Sequence, residues 1–310
     1  MATKALGLDV GGTKTEAVIV DKDGTILDKK RVPTERDKGH QFVLKKIADL
    51  VREVKDGHKI IGIGAGLPGA IHPQSNLMIN GNSHIFVGKN FIEDLRGELN
   101  YDGPVKVAND ANCFALAETL FGVGKEIALE RGETTSVISG FGVILGTGCG
   151  GGFIHRGEIF PGVNGGAAEV GHTLIGDEGR KCYCGKLDCA ETYLSGPGLQ
   201  ASYKNLSETE AISAQDIFEQ IDTNPFARSV IDEYQDKLAT LISHIASNFD
   251  PHFIVLGGGV SLQHKIYEGL EQRVRKKLFI ERFPPKIKKH LLGDSAGAIG
   301  AASLVLPFET

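Results

Sequence analysis

Two glycine-rich stretches, each flanked by apolar runs that favour β-strands, constrain the fold of this chain more than any other feature. One is DVGGTKT at residues 9–15, and the other is GTGCGGG at residues 146–152. Glycine makes up 41 of the 310 residues and is clustered in turns of this kind. A glycine turn lets the backbone approach another group closely, because no Cβ intervenes. Two glycine hairpins far apart in the sequence therefore suit a ligand that is clamped by two lobes.

The segments around these turns predict a mixed α/β protein. Apolar runs joined by short turns predict an antiparallel meander of strands at 4–10, 14–21 and 25–33. Helix and strand patterns then alternate at 42–54, 59–66, 91–99, 105–110 and 111–122, with Gly122 placed to end the last helix. A second strand–turn–strand unit follows at 136–159, and after it the longest helix at 226–249, a strand at 253–259 and a small-residue helix at 293–306. The longest helix has a stripe that is predicted to be buried: Val230, Tyr234, Leu238, Leu241, Ile245 and Phe249.

A chain of 310 residues is long for a single hydrophobic core, so two domains are expected. The first is a small N-terminal α/β lobe at residues 1–120, with the C-terminal helix at 293–310 packing back on it. The second is a larger α/β lobe at 121–292 that carries a cysteine-rich loop. The polar stretch GKEIALERGETT marks the expected boundary.

The charge pattern argues against nucleic acid as a partner. The formal net charge is −5, and the one basic cluster, PKIKKH at 285–290, is typical of a solvated surface. No window approaches the ~18 apolar residues of a membrane-spanning helix. The N-terminus also lacks the apolar core and cleavage site of a signal peptide. We therefore expect a cytoplasmic protein with no membrane partner, in a compartment where thiols stay reduced.

Three of the five cysteines lie close together in the segment 182–189. Cys182, Cys184 and Cys189 follow His172 with the spacing H-x₉-C-x-C-x₄-C. In a reducing compartment such a cluster favours a metal site over disulfides, and a Cys₃His set is typical of closed, structural zinc sites. The C-x-C pair is tighter than the usual C-x₂-C, so three buried thiols and a core histidine remain an alternative. The other two cysteines, at 113 and 149, are predicted to be ordinary core or loop residues.

Asp110 lies at a strand end, directly before the helix that begins ANCFALAE. A carboxylate held at such a junction can accept a proton from a substrate hydroxyl, as a general base does. The alternative is a helix N-cap, a position that aspartate also favours. Spacing alone favours the cap.

The two glycine turns admit two interpretations each. In the first, Gly11 and Gly12 expose N–H groups, Thr13 and Lys14 add a hydroxyl and a cation, and Asp9 can face a hydrated Mg²⁺; the alternative is a plain hairpin. The second contains G-x-G-x-x-G at Gly146, Gly148 and Gly151, which suggests the dinucleotide site of a Rossmann oxidoreductase. A Rossmann loop opens a helix, however, whereas FIHRGEI after this loop is strand-like.

Taken together, five motifs identify the family that the chain resembles. LGLDVGGTKTEAVIVD, NDANCFALAE, ILGTGCGGGFIHRGEI, EVGH and CYCGKLDCAETYLSG occur in the order found in the ROK family of repressors and sugar kinases. The resemblance covers essentially the whole chain. It implies the two-lobed, actin-like and hexokinase-like ATPase fold, an α/β fold with mixed sheets. It also implies an ATP- and Mg²⁺-dependent hexose kinase with a structural Zn²⁺.

The resemblance assigns a role to individual residues. Asp110 becomes the base that activates the sugar 6-hydroxyl, and His172, Cys182, Cys184 and Cys189 become the zinc ligands. The sugar-binding set is Asn82, Asn109, Asp110, Glu158, Glu169, His172 and Glu191. The nucleotide and its metal are expected at Asp9, Gly11, Gly12, Thr13, Lys14, Gly146, Thr147, Gly148, Gly150, Gly151, Gly258 and Gly259. The chain departs from the family pattern at Asp188, where glycine is usual, and aspartate tolerates the positive φ that such a position requires.

The substrate is expected to be N-acetylglucosamine or glucose, on the likeness to the family's N-acetylglucosamine kinases and glucokinases. A fructokinase is the alternative within the family, and the family also implies a homodimer. A sugar-sensing repressor is a rival, but it would carry a helix-turn-helix ahead of the first glycine loop, which here starts at residue 11.

Overall fold

The computed structural model describes residues 3–81, 84–281 and 283–307, and it has a mixed α/β architecture. The strands are β1 (Lys4–Val10), β2 (Lys14–Asp21), β3 (Ile26–Pro33), β4 (Ile63–Leu67), β5 (Gly69–Ile71), β6 (Met78–Gly81), β7 (Val105–Asn109), β8 (Gly140–Leu145), β9 (Cys149–His155), β10 (Glu158–Ile159), β11 (Phe253–Gly257) and β12 (Lys286–Lys289). The helices are α1 (His40–Lys55), α2 (Phe91–Leu99), α3 (Asp110–Leu120), α4 (Val123–Arg131), α5 (Glu191–Leu194), α6 (Gly196–Ser207), α7 (Ala214–Glu219), α8 (Pro225–Phe249), α9 (Leu270–Arg275) and α10 (Ala296–Ser303). Two five-stranded sheets have the orders β3-β2-β1-β4-β7 and β10-β9-β8-β11-β12, and β5 pairs with β6.

The chain divides into two compact units. The first contains the described residues of Met1–Ser139, Gly152–Ala167 and Leu291–Thr310, and the second contains Gly140–Gly151 and Ala168–His290. The division proposed from the sequence placed 121–139 and 152–167 in the second lobe, so the two partitions differ there. The polar stretch expected to mark the boundary is instead the helix α4, and Gly122 is its N-cap residue.

In the first unit, strands β1, β2 and β3 form the predicted antiparallel meander. Strands β4 and β7 then add in parallel, with β4 between β1 and β7. β1 is almost wholly buried, as its apolar sequence predicts. Because β1, β4 and β7 are parallel, their carboxyl ends lie at one edge of the sheet, and residues near 9, 67 and 109 meet there.

Helix α10 packs directly on this sheet through small residues. A Cβ added at Gly64 of β4 would lie 1.7 Å from the carbonyl oxygen of Ala301, and one added at Gly7 of β1 would lie 2.0 Å from that of Ala298. Neither position allows a side chain, so glycine here serves close packing of a helix on a strand. The small-residue helix predicted at 293–306 is confirmed, although the α-helix covers only Ala296–Ser303.

In the second unit, β11 pairs in parallel with both β8 and β12. Helix α8 begins after Asn224, whose side chain accepts hydrogen bonds from the N–H groups of residues 226 and 227, and Pro225 occupies its first turn. Its predicted buried stripe is confirmed except at Phe249, which is half-buried against Phe141 at a ring-centroid distance of 5.1 Å. Across the described residues, the helices include none long and apolar enough to span a bilayer.

Candidate functional site

The carboxyl edge of the first sheet brings Asp9 and Asp110 near one another. Asp9 is the penultimate residue of β1, and Asp110 begins α3 directly after β7. Burial raises the pKa of Asp9 from 3.8 to about 7, with further contributions from the Asp110 and Glu16 carboxylates and a smaller opposing one from Arg31. Glu16 itself is held by Arg31 at 2.9 Å. An edge that concentrates carboxylates in this way has the oxygen donors that Mg²⁺ prefers.

Asn109, rather than Asp110, caps helix α3. The Asn109 Oδ1 accepts hydrogen bonds from the N–H groups of Ala111 at 2.9 Å and Asn112 at 3.2 Å, and its Nδ2 donates to the Gly69 carbonyl at 3.3 Å. The Asp110 carboxylate also accepts a hydrogen bond from the N–H of Ala111, at 2.8 Å. Asn109 therefore occupies the N-cap position that was the alternative role for Asp110. The Asn109 amide, which was expected to hold a sugar hydroxyl, is already hydrogen-bonded within the fold.

The first glycine turn is tied to the segment that follows β3. The N–H of Gly11 donates to the Lys14 carbonyl at 3.0 Å and closes the hairpin, with Thr13 and Lys14 exposed. The buried Thr34 holds the turn from beneath: its hydroxyl donates to the Gly11 carbonyl at 2.7 Å and its N–H to the Thr13 carbonyl at 2.9 Å. The backbone of this turn is thus fixed in place by contacts within the first unit.

The second glycine turn joins β8 to β9 and carries Thr147, which is exposed, at its tip. The N–H of Gly146 donates to the Gly148 carbonyl at 2.9 Å, and the N–H of Gly196 donates to the Gly146 carbonyl at 2.8 Å. Gly258, with φ of 81°, packs so closely on the strand end that a Cβ would lie 2.5 Å from the Leu145 carbonyl oxygen. Gly258, which was predicted to contact the nucleotide and is distant in sequence, therefore lies beside the second glycine turn. Gly259 is exposed next to it, and Gly150 and Gly151 lie in β9.

Glu191 links that turn to the segment holding Glu169. Its Oε2 accepts a hydrogen bond from the N–H of Cys149 at 2.9 Å, and a Cβ at Gly148 would lie 2.6 Å from the same oxygen. Desolvation and the Glu191 carboxylate raise the pKa of Glu169. Two of the predicted sugar-binding carboxylates thus lie near each other in the second unit.

His172, Cys182, Cys184 and Cys189 converge on a common point. Their ligand atoms all lie within 4.8 Å of one another. The His172 Nδ1 is 3.5 Å from the Cys182 Sγ, and the Cys184 and Cys189 Sγ atoms are 3.6 Å apart. Tetrahedral zinc with Zn–S bonds of ~2.3 Å requires sulfur–sulfur separations of about 3.8 Å, so these four residues could hold such an ion.

Two residues of the cysteine loop, Tyr183 and Asp188, make contacts that the sequence did not predict. The Tyr183 hydroxyl lies 3.1 Å from the His172 Nε2, the nitrogen that does not face the sulfurs. The buried Asp188, with φ of 57°, accepts hydrogen bonds from the N–H groups of Gly179 and Arg180, both at 2.9 Å, and from the Tyr193 hydroxyl at 2.5 Å. The sequence hinted at this role only because aspartate replaces the family's usual glycine at position 188. In the structure, the Asp188 carboxylate holds the loop through these three hydrogen bonds.

Comparison with known proteins agrees with this architecture. The ROK family model matches residues 5–307, which is nearly the whole chain. The chain belongs to the ROK family. One ROK relative, an N-acetyl-D-glucosamine kinase of Haemophilus influenzae (strain 86-028NP), is 34% identical over 313 residues, covering 97% of this chain and 98% of the relative.

Two solved ROK structures share the fold. The ROK hexokinase from Thermus thermophilus superposes with a TM-score of 0.83 at 26% identity, covering 97% of both chains. A ROK family glucokinase from Streptomyces griseus, solved in complex with glucose and AMPPNP, has a TM-score of 0.81 at 27% identity, with 97% of this chain and 98% of that one covered. The predicted actin-like ATPase fold with mixed sheets is confirmed.

The described residues of the predicted sugar-binding set of this ROK protein come from both compact units. Glu158 is exposed in β10 and is grouped with the first unit, whereas Glu169, His172 and Glu191 belong to the second. Asn82 lies outside the described residues.

Proposed function

We propose that this ROK protein is an ATP-dependent sugar kinase that transfers the γ-phosphoryl group to the 6-hydroxyl of N-acetylglucosamine or glucose. The observation that carries the proposal is the position of Asp110. Asn109 caps the helix, so the Asp110 carboxylate remains at the sheet edge beside Asp9 rather than serving as the N-cap. A fixed carboxylate there can accept the proton of the attacking hydroxyl.

Asp9 suits the charge neutralisation that phosphoryl transfer requires. Its pKa near 7 means that the folded protein disfavours a bare carboxylate at this buried position. A hydrated Mg²⁺ would favour the ionised form and would be accommodated by carboxylate oxygens. When bound, the ion supplies positive charge to the phosphates of ATP. The side chains of Thr13 and Lys14 on the first glycine turn are exposed and are proposed to contact those phosphates. Thr147 is exposed on the second glycine turn and is proposed as a further nucleotide contact.

The sugar is proposed to bind Glu169 and Glu191, whose carboxylates can accept hydrogen bonds from hydroxyl groups. His172 is a weaker candidate than the sequence suggested, because its Nδ1 faces the Cys182 sulfur and its Nε2 lies 3.1 Å from the Tyr183 hydroxyl. N-acetylglucosamine is the first choice of substrate because the relative that bears that name is 34% identical, whereas the glucokinase solved with glucose is 27% identical. Asn109 is a weaker candidate than the sequence suggested, because both ends of its amide already make hydrogen bonds.

The Cys₃His cluster is proposed to hold a structural Zn²⁺. The four ligand atoms lie within 4.8 Å of one another, and four such ligands would complete the closed shell of a structural zinc site, with no position left for substrate. His172 has Nδ1 towards the sulfurs and Nε2 paired with Tyr183, so its ring orientation is set from both sides. The ion would fix the loop that leads into α5 and hence Glu191.

A coupled assay of ATP consumption across glucose, N-acetylglucosamine, fructose, mannose and N-acetylmannosamine tests the activity. We expect turnover with at least one of these sugars and the highest kcat/KM with N-acetylglucosamine. Proton and phosphorus NMR of the product should show phosphate on the 6-hydroxyl. Absence of sugar-dependent ATP consumption across the panel would refute the kinase assignment, and glucose as the best substrate would refute the preference.

Asp110→Asn tests the base. The amide keeps the size of the side chain but cannot take the proton, so kcat should fall roughly 100-fold or more. Asp102→Asn, an exposed carboxylate on the same unit, serves as the matched control and should retain parent activity. Near-parent turnover in Asp110→Asn would rule out Asp110 as the base.

A further inference from the structure

The guanidinium of Arg36 lies against the first glycine turn. A Cβ built at Gly12 would be 3.3 Å from the Arg36 Nη1 and 3.9 Å from its Cζ. The backbone φ of Gly12 is not in the left-handed region, so the position does not need glycine for its conformation. The absence of a side chain there instead lets the guanidinium approach the turn closely.

Arg36 is held in this place by the segment that precedes it. Thr34 donates hydrogen bonds to the carbonyls of Gly11 and Thr13, and its hydroxyl is 2.9 Å from that of Thr15. Two residues later, Arg36 opens a short 3₁₀ turn, Arg36–Lys38. The 3₁₀ turn that begins at Arg36 and the first glycine turn are thus joined through the buried Thr34.

The Arg36 guanidinium has no carboxylate partner in the part of the chain that the structure describes. The adjacent carboxylate, Glu35, is engaged by Lys38 at 2.6 Å and also by Lys46. Arg36 is exposed, whereas Arg31 at the same end of the sheet is paired with Glu16. An unpaired, forked cation beside a glycine turn is suited to phosphate oxygens, which accept two parallel N–H donors from arginine.

We infer that Arg36 binds the terminal phosphates of the nucleotide, a role that rests on the proposed kinase function. The guanidinium adds fixed positive charge where negative charge accumulates during transfer, beside the backbone donors of the turn. Lysine cannot replace it fully, because an ammonium group lacks the planar fork.

Arg36→Gln and Arg36→Lys test this role against Lys38→Gln. Lys38 is an exposed cation on the same turn but is already paired with Glu35, so its loss should leave nucleotide binding unchanged. Binding is measured calorimetrically with Mg·AMPPNP and, separately, with adenosine, which has no phosphate. Loss of a charge-assisted bond predicts roughly 10- to 100-fold weaker AMPPNP binding in Arg36→Gln, a smaller loss in Arg36→Lys, and unchanged adenosine binding in both.

Thermal unfolding of each variant without ligand separates a binding role from a structural one. Parent-like unfolding together with a selective loss for AMPPNP supports the inference. Parent-like AMPPNP binding in Arg36→Gln, or an equal loss for adenosine, overturns it. A parent protein that binds no Mg·nucleotide and consumes no ATP would instead overturn the kinase proposal, so the two failures differ.

Discussion

The Glu191 carboxylate accepts a hydrogen bond from the N–H of Cys149 at 2.9 Å and so connects the first residue of α5 to the glycine turn between β8 and β9. The cysteine loop leads directly into Glu191, since Cys189 is two residues before it. The Glu191 side chain therefore links three features of the second unit. These are the cysteine loop proposed to bind zinc, Glu191 itself as a proposed sugar ligand, and the second glycine turn, which is proposed to contact the nucleotide.

Glu191→Gln and Glu191→Ala should separate the two tasks of this carboxylate. Glutamine retains an oxygen for the Cys149 N–H but loses the charge, so we expect a higher KM for the sugar with little change in the KM for ATP. Alanine removes the acceptor as well, so both KM values should rise, that for ATP by roughly tenfold. Steady-state kinetics with each substrate varied in turn provide the measurement. An ATP KM that is unchanged in Glu191→Ala would mean that the hydrogen bond does not order the turn.

Asp9 should make the folded protein less stable as the pH rises. Its folded pKa of about 7 exceeds the ordinary 3.8, so the folded state keeps a proton that the unfolded chain loses between these pH values. The stabilisation is fully present below about pH 4 and is lost as the pH rises through 7. It amounts to about 4 kcal/mol at most, from 1.36 kcal/mol per pKa unit.

Urea unfolding of the parent and of Asp9→Asn between pH 4 and 8, without Mg²⁺, measures this effect. The parent should lose stability relative to Asp9→Asn as the pH rises. Asp37→Asn removes an exposed carboxylate and should run parallel to the parent. Parallel curves for the parent and Asp9→Asn would show that Asp9 titrates near its ordinary pKa.

Removing one cysteine of the cluster should release the metal. Cys184 is the exposed member, and serine in its place lacks the thiolate that zinc prefers. We expect one zinc per chain in the parent by plasma mass spectrometry and loss of the ion from Cys184→Ser on dialysis against a chelator. Cys113→Ala removes a buried thiol that is not part of the cluster and should keep its zinc. A metal-free parent would refute the site.

Features of the fold and of the candidate site could be predicted from the sequence where the residues that form them lie close together in the chain. The meander, the long helix and the His172–Cys189 cluster rest on local periodicity or close spacing, and the structure reproduces them. Gly258 lies beside Leu145, and Glu191 accepts a hydrogen bond from Cys149, only because of tertiary packing. Periodicity within a short window of sequence does not predict such contacts.

The helix α4 was missed for a physical reason. Its nine residues include four charged ones, and its buried side chains Val123, Ile127 and Ala128 form an apolar stripe that is too short to distinguish a helix from a polar linker. The buried carboxylate of Glu118 helps to define it: Oε2 accepts the N–H of Val123 at 3.3 Å, and Oε1 accepts those of Leu291 and Leu292 at 2.9 and 2.8 Å. Val123 is five positions from Glu118, but Leu291 and Leu292 are 173 and 174 positions away, so local patterns could not predict those two hydrogen bonds.

Asp188→Gly should weaken zinc retention although it restores the family's usual residue. Glycine adopts the positive φ without strain. It has no carboxylate, however, so the N–H groups of Gly179 and Arg180 and the buried Tyr193 hydroxyl lose their hydrogen-bond acceptor. We expect roughly tenfold weaker zinc affinity in chelator competition. Asp188→Asn keeps an acceptor at that position and tolerates the φ, so it should fall between the parent and glycine. Affinity equal to that of the parent in Asp188→Gly would show that the carboxylate does not support the loop.

Gly64→Ala should be among the most destabilising single-methyl changes in the first unit. The added Cβ would sit 1.7 Å from the Ala301 carbonyl oxygen, so α10 would have to move off β4, at a cost of about 3 kcal/mol or more. The matched control is Gly97→Ala in the exposed part of α2, where nothing lies within 4 Å of the new methyl group and φ is not positive. That change should stabilise the protein by up to ~1 kcal/mol, because alanine is the better helix former. Urea unfolding at fixed pH gives both values, and a Gly64→Ala variant as stable as the parent would contradict the packing of α10 on this strand.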